Sequence, residues 1–426
     1  MRSRLVRLIP ERDPETTATK YFFNHRLPRS YSEARAEWHE LLDGTHPLWT
    51  DISSPKRELI RSHLNAFNLE VVKRMRPSSR FDFSGSSIGN LFLTGARLFT
   101  GSFEAAIYLL SSICSVPDRI AVLPAVNTNF ALHIAAGLVD GTVITGQNDI
   151  SHPSAPTAAV PIASNPGITL HYGGGSEVQQ LGQDVEEHDK VEDANLPGSL
   201  PALRRPAIDF SKDDEEDLPS RIDRLWYINP YGQEIRIPAN PRVLDAIWHS
   251  NSVIYSIGSL FTSLVPNLVL KGVGDALSNP LIRNKILILN GTIDRETGPS
   301  SNPLTAIDFV ATIANACADS QGRPPSSAPP PGEATSSVLR RRRVVEEDEY
   351  CHYVTHVVYL EGPSAPKVDR QRFTTIGIDV TRVYGPRDGD GRGGRYDAKG
   401  LAQALEGIVG RKGIKQDRTR RNTLEK

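Results

Sequence analysis

The sequence predicts an α/β protein, a Rossmann-like, mostly parallel sheet with helices on both faces, and three observations carry that reading. Short β-branched runs alternate along the chain with amphipathic segments of helical length. Residues 252–278, SVIYSIGSLFTSLVPNLVLKGVGDALS, pass from an apolar strand through a turn of small residues into an amphipathic helix, the anatomy of a nucleotide-binding crevice. Two stretches of the 426 residues lack any sustained apolar period, which leaves one core carrying two long disordered insertions.

In chain order, helices are predicted over 32–42, 55–76, 88–98 and 103–113, then strands over 120–123, 142–145 and 222–228. A helix over 241–249 follows, with strands over 253–255 and 285–289, a helix over 303–316, strands over 356–360 and 374–380, and a closing helix over 397–409. Strands punctuated by helices of this size favour parallel pairing through crossovers. In such sheets ligands bind beyond the carboxyl ends of the strands.

The α/β domain therefore occupies 1–151, 220–320 and 350–410. An acidic, Pro/Ser-rich insertion fills 152–219, and a Pro/Arg-rich insertion fills 321–349, where four arginines at 340–343 precede four acids at 346–349. That second insertion reads as a nuclear-localisation or RNA-contact patch, or as a solvated loop whose opposite charges cancel. A basic tail covers 411–426.

Lys and Arg number 49 against 50 Asp and Glu, so no global field marks a nucleic-acid binder. Cys114, Cys317 and Cys351 are too scattered for a disulfide framework, which points to a reducing compartment. The N-terminus is charged and has no secretory apolar core. Residues 252–270 hold no Asp, Glu, Lys, Arg or His, but Gly258, Pro266, Asn267 and several hydroxyls make them a poor membrane span. The expectation is a cytoplasmic protein with no membrane or nucleic-acid partner; a homo-oligomer is an admissible state.

Two segments carry candidate chemistry. In the first, Ser256, Gly258, Ser259, Thr262 and Ser263 follow the strand Val253–Tyr255 with hydroxyls and bare amides where a phosphate fits. In the second, FDFSGSSIGNLFL over 81–93, a helix starts near Ile88 behind Ser84, Gly85, Ser86 and Ser87. Its first-turn amides attract a diphosphate, or Ser86 or Ser87 is an ordinary N-cap; local chemistry supports both readings. Asn90, polar in an apolar helix, tilts the balance towards ligand contact or a satisfied buried amide. The turns around Ser87 and Ser259 are expected to cradle one pyrophosphate.

Other motifs are weaker. Gly389, Gly391 and Gly394 satisfy G-x-G-x-x-G but follow a charged loop rather than a strand, so they read as a loop. Cys351, His352 and His356, read as lying on a strand, point to opposite faces and do not converge on a metal.

The order of GSSIGNLFLTGARLFTGSFEAAIYLL, RIAVLPA, DGTVITGQNDIS, RLWYINP, IYSIGSLFTSLVPNLVLKGVGDAL and KILILNG resembles the 2-phospho-L-lactate transferase (CofD) family, with closer similarity to its gluconeogenesis-factor (YvcK-like) branch. The resemblance implies a Rossmann-like core that binds a nucleotide diphosphate derivative. In the transferase branch this is a GDP-linked donor used with Mg2+. In the other it is a UDP-sugar, bound for regulation of carbon or envelope metabolism. By motif, Ser87, Gly89 and Asn90 match the helix start, with Ser86 beside them. Gly258, Ser259, Thr262, Ser263 and Asn267 match the run after the strand, and Tyr359 and Arg395, with Asp397, match C-terminal sugar-nucleotide contacts.

The chain departs from the pattern in three places. Ser256-Ile257-Gly258-Ser259 replaces a Gly-Pro-Gly-Ser turn, and Ser86 and Ser87 stand where bacterial members tend to carry a histidine. The chain also opens at MRSRLVRL, inside a segment that other members place after a first strand and two Gly-rich loops. A chain without those loops is expected to expose sheet edges and to lack the carboxylates that position Mg2+. The expectation is a UDP-sugar-type binding protein with a regulatory role. The alternatives are group transfer from a nucleotide-activated donor to a hydroxyl, and a scaffold acting through the charged insertions.

Overall fold

The computed structural model describes residues 2–75, 81–128, 130, 132–151, 160–161, 200, 203, 217–322, 344–385 and 394–410. Most of both expected insertions, the tail 411–426, Gly389 and Gly391 lie outside the described residues. Within the bounds of the expected insertions, Leu200, Leu218 and Val345 are buried, and the Val345 amide donates to Asn315 at 2.9 Å. The expected single core is divided between two compact units, one of residues 1–131 and 175–199, the other of 132–174 and 200–426.

The first unit is helical over its described residues. Its helices are α1 (Arg2–Arg7), α2 (Pro14–Asn24), α3 (Tyr31–Asp43), α4 (Ser54–Arg74), α5 (Ile88–Thr100) and α6 (Phe103–Ile113). Asp13 starts α2 with a capping box closed by Thr16, and Pro14 follows at the first helical position, where its missing N–H costs nothing. Gly44 and Gly101 end α3 and α5 in the left-handed conformation that favours glycine. Phe22, Phe23, Trp38, Trp49 and Phe92 fill the core, each contributing roughly 1.5–3 kcal/mol by burial. The strand expected at 120–123 is irregular chain. Its apolar residues meet no strand in this unit, and Val122 packs against the helical core instead.

The second unit holds two sheets. One is antiparallel, in the order β3 (Val160–Pro161), β2 (Thr142–Thr145), β1 (His133–Leu138), β4 (Ile222–Ile228) and β5 (Glu234–Ile235). The other is parallel, in the order β6 (Ser252–Tyr255), β7 (Asn284–Ile288), β8 (His356–Tyr359) and β9 (Asp379–Arg382). The α/β class is as expected, with the parallel strands confined to the C-terminal half. The antiparallel sheet had no counterpart in the sequence reading.

Helices cover both faces of the parallel sheet. Ile286, Ile288, Val358 and Val383 form one face under the helix Ala398–Val409. On the other, Cys317 of the helix Ala306–Ser320, Tyr255 and Lys285 are buried. The strand expected over 374–380 begins only at Asp379: Asp369 caps a short helix, Arg370–Thr375, and Gly377 at φ 75° turns the chain into β9.

Candidate functional site

The carboxyl ends of β6, β7, β8 and β9 form an edge onto which several expected residues are gathered. After Tyr255 the chain leaves β6 through Ser256, Ile257 and Gly258, all exposed, and then the half-buried Ser259. Residues Leu260–Leu264 form a π turn leading into the helix Val265–Leu268. Pro266 lacks an N–H and cannot continue a regular ladder. The Leu264 amide bonds five residues back to Ser259 at 3.3 Å, and the Asn267 side chain donates to the Ser263 carbonyl at 2.7 Å. Such one-turn π segments recur at functional sites.

Asn290, directly after β7, fixes the turn. Its Oδ1 accepts from the Gly258 amide and its Nδ2 donates to the Gly258 carbonyl, both at 3.1 Å. The next residue, Gly291, lies against the segment bearing Arg395: a Cβ there would stand 2.1 Å from the Gly394 carbonyl oxygen. A Cβ on Gly385, beyond β9, would stand 1.7 Å from the Arg395 carbonyl oxygen. Tyr396 completes the attachment by donating its hydroxyl proton towards the carbonyls of Leu289 at 2.8 Å and Val358 at 3.2 Å. Gly258, Ser259, Asn290 and the exposed Arg395 therefore border one edge.

Three expected contacts have other work. The amide and hydroxyl of Thr262 both bond Glu296, whose Oε2 also accepts from the Phe261 amide at 2.9 Å. A phosphate expected at these donors is pre-empted by the protein's own carboxylate. Glu296 is almost fully buried; burial pushes its carboxyl up, the Thr262 hydroxyl pulls it down and the Asp294 charge pushes it up again, to about 7. Tyr359 is 5 % exposed, and its hydroxyl accepts two bonds from Arg370 rather than facing solvent. Asp397 caps the closing helix, accepting from the Gly400 amide at 2.7 Å.

The residues of the second segment lie in the helical unit. Ser87 occupies the N-cap position of α5 but makes no capping bond; its hydroxyl is buried without a hydrogen-bond partner among the described residues. Gly89 is a packing position, since a Cβ there would stand 2.5 Å from Cγ of Arg2 and 2.8 Å from the Phe23 carbonyl oxygen. The Ile88 amide is taken by the His25 carbonyl at 3.1 Å. Ser87 and Gly89 are thus enclosed, while Ser86 is half-buried and Asn90 exposed. Cys351 and His352 lie in a short 3-10 helix, Glu347–His352, not on the expected strand. No group of three or more His, Cys, Asp or Glu side chains among the described residues is placed to hold a metal ion. Among the described residues the edge offers amides, hydroxyls and Arg395. No helix among the described residues is long and apolar enough to cross a membrane.

The model of the family 2-phospho-L-lactate transferase CofD matches residues 1–383. The chain belongs to the CofD family. Within it, this CofD-family chain is 38% identical over 299 residues to the uncharacterized protein YNL011C of Saccharomyces cerevisiae, covering 70% of this chain and 66% of that protein. It is 39% identical over 194 residues to the gluconeogenesis factor of Bacillus subtilis, covering 46% of this chain and 38% of that one. The chain thus spans less than two thirds of the length of these relatives. A crystal structure of a UPF0052 family member, BH3568 of Bacillus halodurans, aligns over 92% of this chain and 96% of its own at 16% identity and a TM-score of 0.45.

Proposed function

We propose that this CofD-family chain binds a nucleotide diphosphate derivative of the UDP-sugar type at the carboxyl edge of β6–β9, and that it acts as a regulator of carbon metabolism. The observation that carries the reading is the two-way bond between Asn290 and Gly258. It holds an uncharged, hydroxyl-bearing turn open at the end of a parallel strand, beside the segment that bears Arg395. Diphosphates are recognised by such pre-set amides and hydroxyls together with one cation. Similarity to gluconeogenesis factors supports a regulatory role over turnover.

Calorimetry with UDP- and GDP-linked ligands tests this. The expected result is stoichiometric binding of a UDP-sugar without release of a nucleoside monophosphate, and affinity about thirtyfold weaker in Asn290→Ala, which loses two hydrogen bonds of about 1 kcal/mol each. Monophosphate release from a GDP-linked donor would instead favour the group-transfer reading. Unchanged affinity in Asn290→Ala would remove the site.

A further inference from the structure

Beyond β8 lies a second feature that the nucleotide reading does not use, a cavity of about 570 Å3 between Thr305 and the segment Lys367–Arg372. Its lining carries three cations, Lys367, Arg370 and Arg372, and one acid, Asp369. The acid is occupied, accepting from the amides of Gln371 at 3.0 Å and Arg372 at 3.1 Å. Arg372 pairs with Glu347. Lys367 and Arg370 form no ion pair among the described residues, so two cations without a carboxylate in direct contact border one concavity, with the Glu361 charge acting on Arg370 from further away.

Arg370 is held by a neutral group. Its Nε and Nη2 donate to the Tyr359 hydroxyl at 2.8 and 2.6 Å, and its guanidinium carbon lies 5.7 Å from the centre of the Tyr359 ring. The ring sits in the core at the end of β8, so the guanidinium is anchored on a rigid strand. Two of the five N–H groups of an arginine are used this way, which leaves donors for a planar or tetrahedral oxyanion without the cost of ordering the side chain first. A carboxylate anchor would have neutralised the charge; a phenol leaves it intact.

We propose that this cavity binds a phosphate-bearing small molecule, with Arg370 and Lys367 contacting the phosphate and Tyr359 acting as the positioning residue for Arg370. The volume is in the range of small-molecule pockets and exceeds what one phosphate fills, so an organic phosphate fits as well as the free anion. The lining shares no residue with Gly258, Asn290 or Arg395, although the positioning residue Tyr359 ends β8 at the carboxyl edge.

Titration calorimetry of the full chain at low ionic strength tests it, with inorganic phosphate, glycerol 3-phosphate and glycerol as probes. Both phosphates bind and glycerol does not. Tighter binding of the ester assigns an organic phosphate, and equal binding assigns the free anion. Arg370→Gln and Lys367→Gln, both at exposed positions, each weaken phosphate about tenfold, and added salt weakens it further in the parent chain. Tyr359→Phe weakens phosphate in the parent but has no added effect in Arg370→Gln, a coupling that a purely structural tyrosine would not show. Asn290→Ala leaves phosphate affinity unchanged, which separates this site from the nucleotide edge. Absence of phosphate binding at millimolar concentration, or binding undiminished in both Gln variants, overturns the proposal.

Discussion

A single buried carboxylate, Glu296, organises the start of the π turn that follows β6, and it sets a pH dependence. Its folded-state carboxyl titrates near 7 against an ordinary value of 4.5, chiefly because burial disfavours the charge. Folding therefore takes up a proton between those limits. The group's contribution is fully present below pH 4.5 and is lost as pH rises through 7, an interval corresponding to roughly 3 kcal/mol. Glu296→Gln keeps an acceptor for the Phe261 and Thr262 amides, and its NH2 donates to the Thr262 hydroxyl. The variant is expected to gain stability over the parent between pH 5 and pH 7 and to gain no more above about pH 8; a stability difference between variant and parent that stays constant from pH 5 to pH 8 would refute the assignment. Glu296 carries no sequence motif, so nothing along the chain distinguishes this carboxylate from surface acids. Asn290 was more legible: an Asn-Gly pair directly after a buried strand run sits where parallel sheets bind ligands.

Glycines in two helices separate packing from propensity. In α5, a Cβ on Gly95 would stand 1.9 Å from the His63 carbonyl oxygen of α4 and 3.1 Å from Cβ of Phe67, so the two helices touch backbone to side. Gly95→Ala is expected to destabilise the helical unit by about 2 kcal/mol, because the overlap falls on a backbone oxygen that cannot swing away and outweighs the ~1 kcal/mol helix-propensity gain. Gly407, in the helix Ala398–Val409, has nothing within 4 Å of its would-be Cβ. Gly407→Ala is expected to stabilise by about 0.5–1 kcal/mol. Thermal melts of the two variants should shift in opposite directions. Helix limits of this kind were readable in the chain: 103–113 was expected and Phe103–Ile113 is found, because Ser102 caps the Ala105 amide and the apolar period is strong. The strand β1 was not readable. Half of HIAAGL is alanine and glycine, poor strand formers, and it becomes a strand because β2 and β4 pair with it on both sides.

Pairing of that kind also explains why the antiparallel sheet escaped the sequence. Ile222–Ile228 reads the same whether its neighbour runs parallel or antiparallel, and the choice is made by residues far away along the chain. Arg224 of β4 ties this sheet to the helix Ala306–Ser320, which covers the parallel sheet. Buried at 6 % exposure, it forms a two-pronged pair with Glu234 of β5 at 2.6 and 3.0 Å and bonds Asp319 at 3.1 Å, with its guanidinium 5.2 Å from the Trp226 ring centre. Burial alone would lower its proton affinity, but the Glu234 bonds and the Asp319 charge outweigh it and the net shift is upward, so the cation persists in the core. Arg224→Met keeps the stem's packing on Trp226 and removes the cation that Glu234 and Asp319 share. A loss of about 3–5 kcal/mol is expected, as for removal of one partner of a buried ion pair. Adding Asp319→Asn to Arg224→Met removes one of those charges and should recover part of the loss, whereas Asp319→Asn alone should be destabilising. Urea unfolding of the three variants measures this sign reversal; if Asp319→Asn lowers stability equally with and without Arg224, the charges do not act as one group.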